Sequence, residues 1–189
     1  MAADSPHCPI LETIVIAPPL GIHLHLDAVA LLLVALFSFA GAIVAAFIWL
    51  DNSAAHLRER PAFILILLLI AGSNGMVLTG DIFNLYVFIE IVGVSAYALA
   101  AIRRDKTALE AGLKYDCGSV AAIFILFAIV LLYLQTGSTK YRCLAQAFGN
   151  MPAQMQLLIG LLMLIGLGIK AELFPFNFWV PRYLSRQRS

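Results

Sequence analysis

The stretch Ile82–Ile102, IFNLYVFIEIVGVSAYALAAI, decides the fold. Its only charge is Glu90, and it is as long as the ~20 residues a helix needs to cross a hydrocarbon core. A second run, Ala153–Phe178, AQMQLLIGLLMLIGLGIKAELFPFNF, carries Lys170 and Glu172 in an equally apolar setting. A charge near a bilayer centre costs about 2.5–3.5 kcal/mol on insertion scales. An acid in one run and a base in the other therefore point to proton or ion movement.

Composition agrees with a membrane protein. Of 189 residues, 62% are hydrophobic and 12% charged, and the mean hydropathy is +0.93. No soluble domain of this size covers so much apolar surface. The net charge of +1 and the lack of a basic tract give no reason to expect a nucleic-acid partner. The N-terminal MAADSPHCPILE has no basic region ahead of an apolar core, so a cleaved signal peptide is not expected. Cys8, Cys117 and Cys143 show no C-x-x-C spacing, and neither a metal site nor a disulfide framework is expected of them.

Five spans follow: Ala28–Leu50, Pro61–Thr79, Ile82–Ile102, a run from about Leu109 to Gln135, and Ala153–Phe178. The runs are continuous rather than alternating, which predicts helices and not a barrel. The expected fold class is thus an all-α polytopic membrane protein. Gly80-Asp81 leaves almost no link between the second and third spans, making them antiparallel neighbours. Ile22, Leu24 and Leu26 alternate with His23 and His25 after Pro18-Pro19, which predicts a short extramembrane strand. The two histidines lack a third ligand, so they read as the polar face of that strand rather than a metal site.

Lysines and arginines set the orientation. The side holding the N-terminus carries Lys140 and Arg142. The other side carries Arg58, Arg60, Arg103, Arg104, Lys106, Arg182, Arg186 and Arg188. The N-terminus is expected outside the cell (inner) membrane and the C-terminus in the cytoplasm. The expected division is an extracytoplasmic segment 1–27, a transmembrane domain 28–181 and a basic cytoplasmic tail 182–189.

Within the third span, Tyr86, Glu90, Gly93 and Tyr97 share one helix face. That face offers two phenolic hydroxyls and a glycine gap beside a carboxyl, whose proton affinity is set by desolvation and by any cation that approaches. A static buried ion pair is the alternative use of Glu90. In the fifth span, Gly160, Gly166 and Gly168 precede Lys170, and Pro175 follows. A proline ring crowds the carbonyl four residues back, here that of Ala171, so a break is predicted just after the lysine. Lys170 lies about 10–12 Å from the end of the run by helical rise. Snorkelling to the cytoplasmic face is the alternative to a proton-carrying role. Glu172 and Asp116 are left open between structural and functional roles, and Lys114 lies about one turn inside the fourth span.

The segments TGDIFNLYVFIE (Thr79–Glu90), LEAGLKY (Leu109–Tyr115) and GLGIKAELFPFNFWVP (Gly166–Pro181) resemble the antiporter-like subunits of respiratory complex I, membrane-bound hydrogenases and Mrp-type sodium/proton antiporters. The form around Asp81–Glu90 is most similar to the Mrp D subunit and its hydrogenase relatives. The resemblance implies part of a fourteen-helix fold with inverted five-helix repeats, of which this chain would cover the third to seventh helices. It places the family's proton-translocating glutamate on Glu90, its principal lysine on Lys170 and a further lysine on Lys114. It also implies other membrane subunits and the lipid bilayer as partners, and protons alone or exchanged against sodium as the transported ions. The sequence has no nucleotide-binding glycine loop and no metal-ligand cluster, so no cofactor or catalytic site of its own is expected. The parent complex would be a redox-driven NADH:quinone oxidoreductase or hydrogenase, or an Mrp assembly.

Some positions depart from the family pattern. Asn177 stands where many relatives have histidine, Arg182 where an acidic residue is common, and Asp116 where an apolar residue is expected. Helices one, two and eight and the second repeat have no counterpart here, so the isolated chain is not expected to complete a proton path. A transport-inactive assembly module or truncated product is the competing expectation.

Overall fold

The computed structural model describes residues 24–50, 60–102, 118–171 and 173. Six helices appear among them: α1 (Ala28–Leu50), α2 (Arg60–Leu78), α3 (Ile82–Ala100), α4 (Gly118–Thr136), α5 (Tyr141–Phe148) and α6 (Ala153–Lys170). Four of them, α1, α2, α3 and α6, are long and apolar enough to cross a membrane, and α4 is an apolar helix slightly shorter by that measure. The start expected for the fourth span near Leu109, with Lys114 and Asp116, lies outside the described residues, as do Glu172 and Pro175.

Two helices, α1 and α3, begin where an aspartate side chain occupies free N–H groups. Asp27 accepts from the Ala30 amide at 2.6 Å ahead of α1. Asp81 caps α3, accepting from Phe83 and Asn84 at 2.8 and 3.1 Å. α2 and α3 form a hairpin whose close approach depends on glycine. A Cβ at Gly72 would stand 2.7 Å from Val92, and one at Gly75 would collide with the Phe88 ring. α1 leans on α2, where Gly41 leaves room for Ile70 and Asn74 donates to Ser38 Oγ at 3.2 Å.

One end of the bundle is tied together by backbone. The His25 amide donates to Leu78 O at 2.6 Å, Ile82 N to Thr139 O at 3.0 Å and Tyr141 N to Gly80 O at 3.2 Å. Of the alternating segment, Leu24 makes an isolated antiparallel bridge with Thr79, while His23 lies outside the described residues. Asp81 is buried. Its Oδ2 accepts from the Thr139 hydroxyl.

The connection between α4 and α6 is not a plain loop. Gly137, at φ 67°, turns the chain out of α4, and the short helix α5 follows. Leu144 and Phe148, four residues apart, pack onto a cluster containing Ala128, Leu132 and Ile159. Gln156 then donates to Phe148 O and Met151 O, both at 2.9 Å. Eight residues with one apolar edge are too short to register as an apolar run. Their apolar edge seats them on the bundle, in the manner of an interfacial helix.

One correction concerns Cys143 of α5, which is disulfide-bonded. Local spacing finds only cysteines that pair within a few residues. The other two cysteines, Cys8 and Cys117, lie outside the described residues.

Candidate functional site

α6 packs on α4 at Gly166, where an added Cβ would stand 3.1 Å from the Ala121 carbonyl and inside contact distance of Ile125. The same cluster that seats α5 contains Ile159 of α6, and Ile82 of α3 packs against it. Both helices start from that end of the bundle and run in the same direction, so the cluster gives them a shared level. Lys170 is eleven residues beyond Ile159, and Gly93 is eleven beyond Ile82. Both lie about 16 Å along their helices from the shared level. Side chains on a helix tilt toward its N-terminus, so Lys170 leans back over Gly93 toward Glu90, one turn earlier on α3.

The geometry follows from that register. Lys170 Nζ lies 3.0 Å from Glu90 Oε1, with 18% of the lysine and 25% of the glutamate side chain exposed. Oε1 itself is buried and accepts no aligned hydrogen bond among the described residues, so the ammonium meets it as an ion pair approached off-axis. A buried charge held by one misaligned partner is easier to separate than a bidentate pair whose lone pairs are all filled.

Helix α6 ends at Lys170. Ala171 is its cap residue, its amide donating to Leu167 O at 2.8 Å, and the Leu173 amide reaches Gly168 O at 2.9 Å. The lysine thus sits in the last turn, where the carbonyl end of the helix dipole favours a cation.

The remaining expected site residues are distributed as follows. Tyr86 lies within electrostatic range of Glu90, with its ring tilted against Phe83 at 6.2 Å. Tyr97 shares the face by register, two turns beyond Glu90. Lys114 and Pro175 lie outside the described residues. No group of three or more histidine, cysteine, aspartate and glutamate side chains gathers as a metal site among the described residues.

A polar node at the opposite end of α3 was not read from the sequence. Asp81, Thr79, Thr139 and Tyr141 meet there. Thr79 Oγ1 donates to Asp81 O at 3.2 Å, and burial, reinforced by the Asp81 charge, pushes the Tyr141 phenol up to about 12. The available signal was the Asp81 cap position just ahead of an apolar run.

Comparison with known proteins places this architecture. Residues 79–185 match the family described as NADH:quinone oxidoreductase/Mrp antiporter, TM. The chain is 39% identical over 169 residues to the NADH-quinone oxidoreductase subunit N of Desulforudis audaxviator, covering 87% of this chain and 33% of the relative. It is 34% identical over 167 residues to the Na(+)/H(+) antiporter D subunit of Alkalihalophilus pseudofirmus, covering 87% and 34%. Among solved structures it superposes on a chain of the membrane-bound sulfane sulfur reductase, an archaeal respiratory membrane complex. The TM-score is 0.72 at 37% identity, over 88% of this chain and 34% of that one. The chain thus spans about a third of the length of these relatives. With its apolar helices and the match from Thr79 onward, it is a multi-pass membrane protein and belongs to the NADH:quinone oxidoreductase/Mrp antiporter transmembrane family.

Proposed function

We propose that this chain carries the ion-pair site of a proton-translocating, antiporter-like subunit that works among other membrane subunits. The observation that carries the reading is the 3.0 Å contact between Lys170 Nζ and Glu90 Oε1 between two apolar helices. Intramembrane ionisable residues that pair with one another mark ion and proton pathways. Lys170 is the group that takes up and releases a proton. The presence or withdrawal of the Glu90 carboxylate beside it sets how firmly the ammonium keeps that proton. The relatives support the coarse role, since they are subunits of an NADH-quinone oxidoreductase and of a Na(+)/H(+) antiporter.

Tyr86 and Tyr97 supply the polar lining beside the pair. Lys114 is a further proton-carrying group and Pro175 the helix break, both on the strength of the motifs alone. The N-terminal side faces outside the cell membrane. Two observations support this: the excess of lysine and arginine on the other side, and the Cys143 disulfide, which suits an oxidising compartment.

The test is uncoupler-sensitive proton uptake by vesicles containing the assembled complex, with and without sodium. Glu90→Gln and Lys170→Ala should each lower it at least tenfold at unchanged subunit content. Normal flux in both variants overturns the reading. Dependence of the flux on sodium distinguishes exchange from proton transport alone.

A further inference from the structure

We infer that Gly93 is a positioning residue for the Lys170 ammonium, its missing side chain forming the seat in which the cation rests beside Glu90. This rests on the proposal that Lys170 and Glu90 handle protons. A Cβ built at Gly93 would have one neighbour within 4 Å among the described residues, the Lys170 Nζ, at 3.3 Å. Among the described residues, the space that any other residue would fill is taken by the charged end of the lysine alone.

Other helical glycines contrast with it. Gly41, Gly72, Gly75 and Gly166 make room for hydrocarbon or backbone, and Gly160 faces open space. Of these glycines, only Gly93 turns its bare surface toward a charged atom. It also lies one turn from Glu90 on the same face, so one stretch of α3 presents both the counter-charge and the seat.

The ammonium cannot keep its place if the seat is filled. A contact of 3.3 Å is too tight for an ordinary Cβ, so Gly93→Ala obliges Nζ to move by a few tenths of an ångström. A branched side chain at 93 excludes it from the present position. Displacing Nζ alters its distance to Glu90, and with it the pH at which the pair changes protonation state. The titratable groups around the pair are few among the described residues. Glu90, Tyr86 and Tyr97 lie on α3, and α4, which packs along α6, contributes Tyr133 near its far end.

The experiment measures uncoupler-sensitive proton flux against pH in vesicles of the assembled complex, with subunit content checked on native gels. Gly93→Ala is expected to assemble, to lower flux severalfold and to move the midpoint of the pH profile by at least half a unit. Gly93→Val is expected to lose flux at least tenfold. Gly160→Ala, a methyl added into open space, should match the unaltered complex in rate and midpoint. An unmoved midpoint in Gly93→Ala overturns the inference, whether or not Gly93→Val assembles. If Glu90→Gln abolishes flux while Gly93→Ala keeps the normal profile, the seat is wrong and the ion-pair reading stands. If Glu90→Gln also transports normally, the ion-pair reading fails with it.

Discussion

Neutralising Glu90 and Lys170 separately and together should expose a coupling energy that neither change shows alone. At 3.0 Å the gross attraction of two unit charges is about 5.5 kcal/mol for an effective dielectric of about 20. Desolvation offsets much of this, which is why the net value of a buried pair is small while the loss of one member is costly, about 3–5 kcal/mol. Glu90→Gln leaves a mostly buried ammonium without its counter-charge, and Lys170→Met leaves a mostly buried carboxylate. The double variant leaves neither. Its destabilisation should therefore fall short of the sum of the single effects by about 2 kcal/mol, within the range seen for directly contacting residues. Off-axis approach at Oε1 keeps the figure below that of an aligned bidentate pair. The assay is reversible unfolding of the complex in lipid or detergent for the four members of the cycle. Additivity to within about 0.5 kcal/mol would show that the side chains do not interact and would refute the reasoning.

Three other outcomes follow from the packing. Asp81→Ala removes the α3 cap and the Thr139 contact and should destabilise by about 1–2 kcal/mol in thermal unfolding, whereas Asp81→Asn keeps an acceptor and should cost less. Gly75→Leu drives a side chain into the Phe88 ring and should cost about 1–3 kcal/mol by overpacking the α2–α3 hairpin, read as a lower melting temperature. Tyr141, pushed up to about 12 from an ordinary 10, favours the fold in its neutral form. Its contribution is fully present below about pH 10 and is lost as pH rises toward about 12. The tyrosinate absorbance that disappears in Tyr141→Phe should accordingly titrate near the upper value, and Asp81→Asn should lower that midpoint.

Glu90 and Lys170 were legible because ionisable residues stand out against apolar runs, and the shared face of Glu90 and Gly93 follows from helical spacing alone. The register that makes them meet was not legible. It shows in the cluster that Ile82 and Ile159 share, two ordinary aliphatic residues in a sequence full of them. The end of α6 at Lys170 is not marked by the apolar letters, which run on to Phe178. Helix α5 escaped notice because its apolar edge is brief, and the Cys143 disulfide because no other cysteine stands near it in the sequence. The Asp81 node needed tertiary knowledge of Thr139 and Tyr141, which lie far along the chain from it.

Lys170→Arg tests the central claim most directly. Arginine keeps the positive charge and can still pair with Glu90, yet it does not give up its proton at accessible pH. If Lys170 carries protons, the variant should assemble at the normal level and lose uncoupler-sensitive proton flux at least tenfold. Flux at the unaltered level would show that only a fixed cation is needed at this position, and would contradict the account.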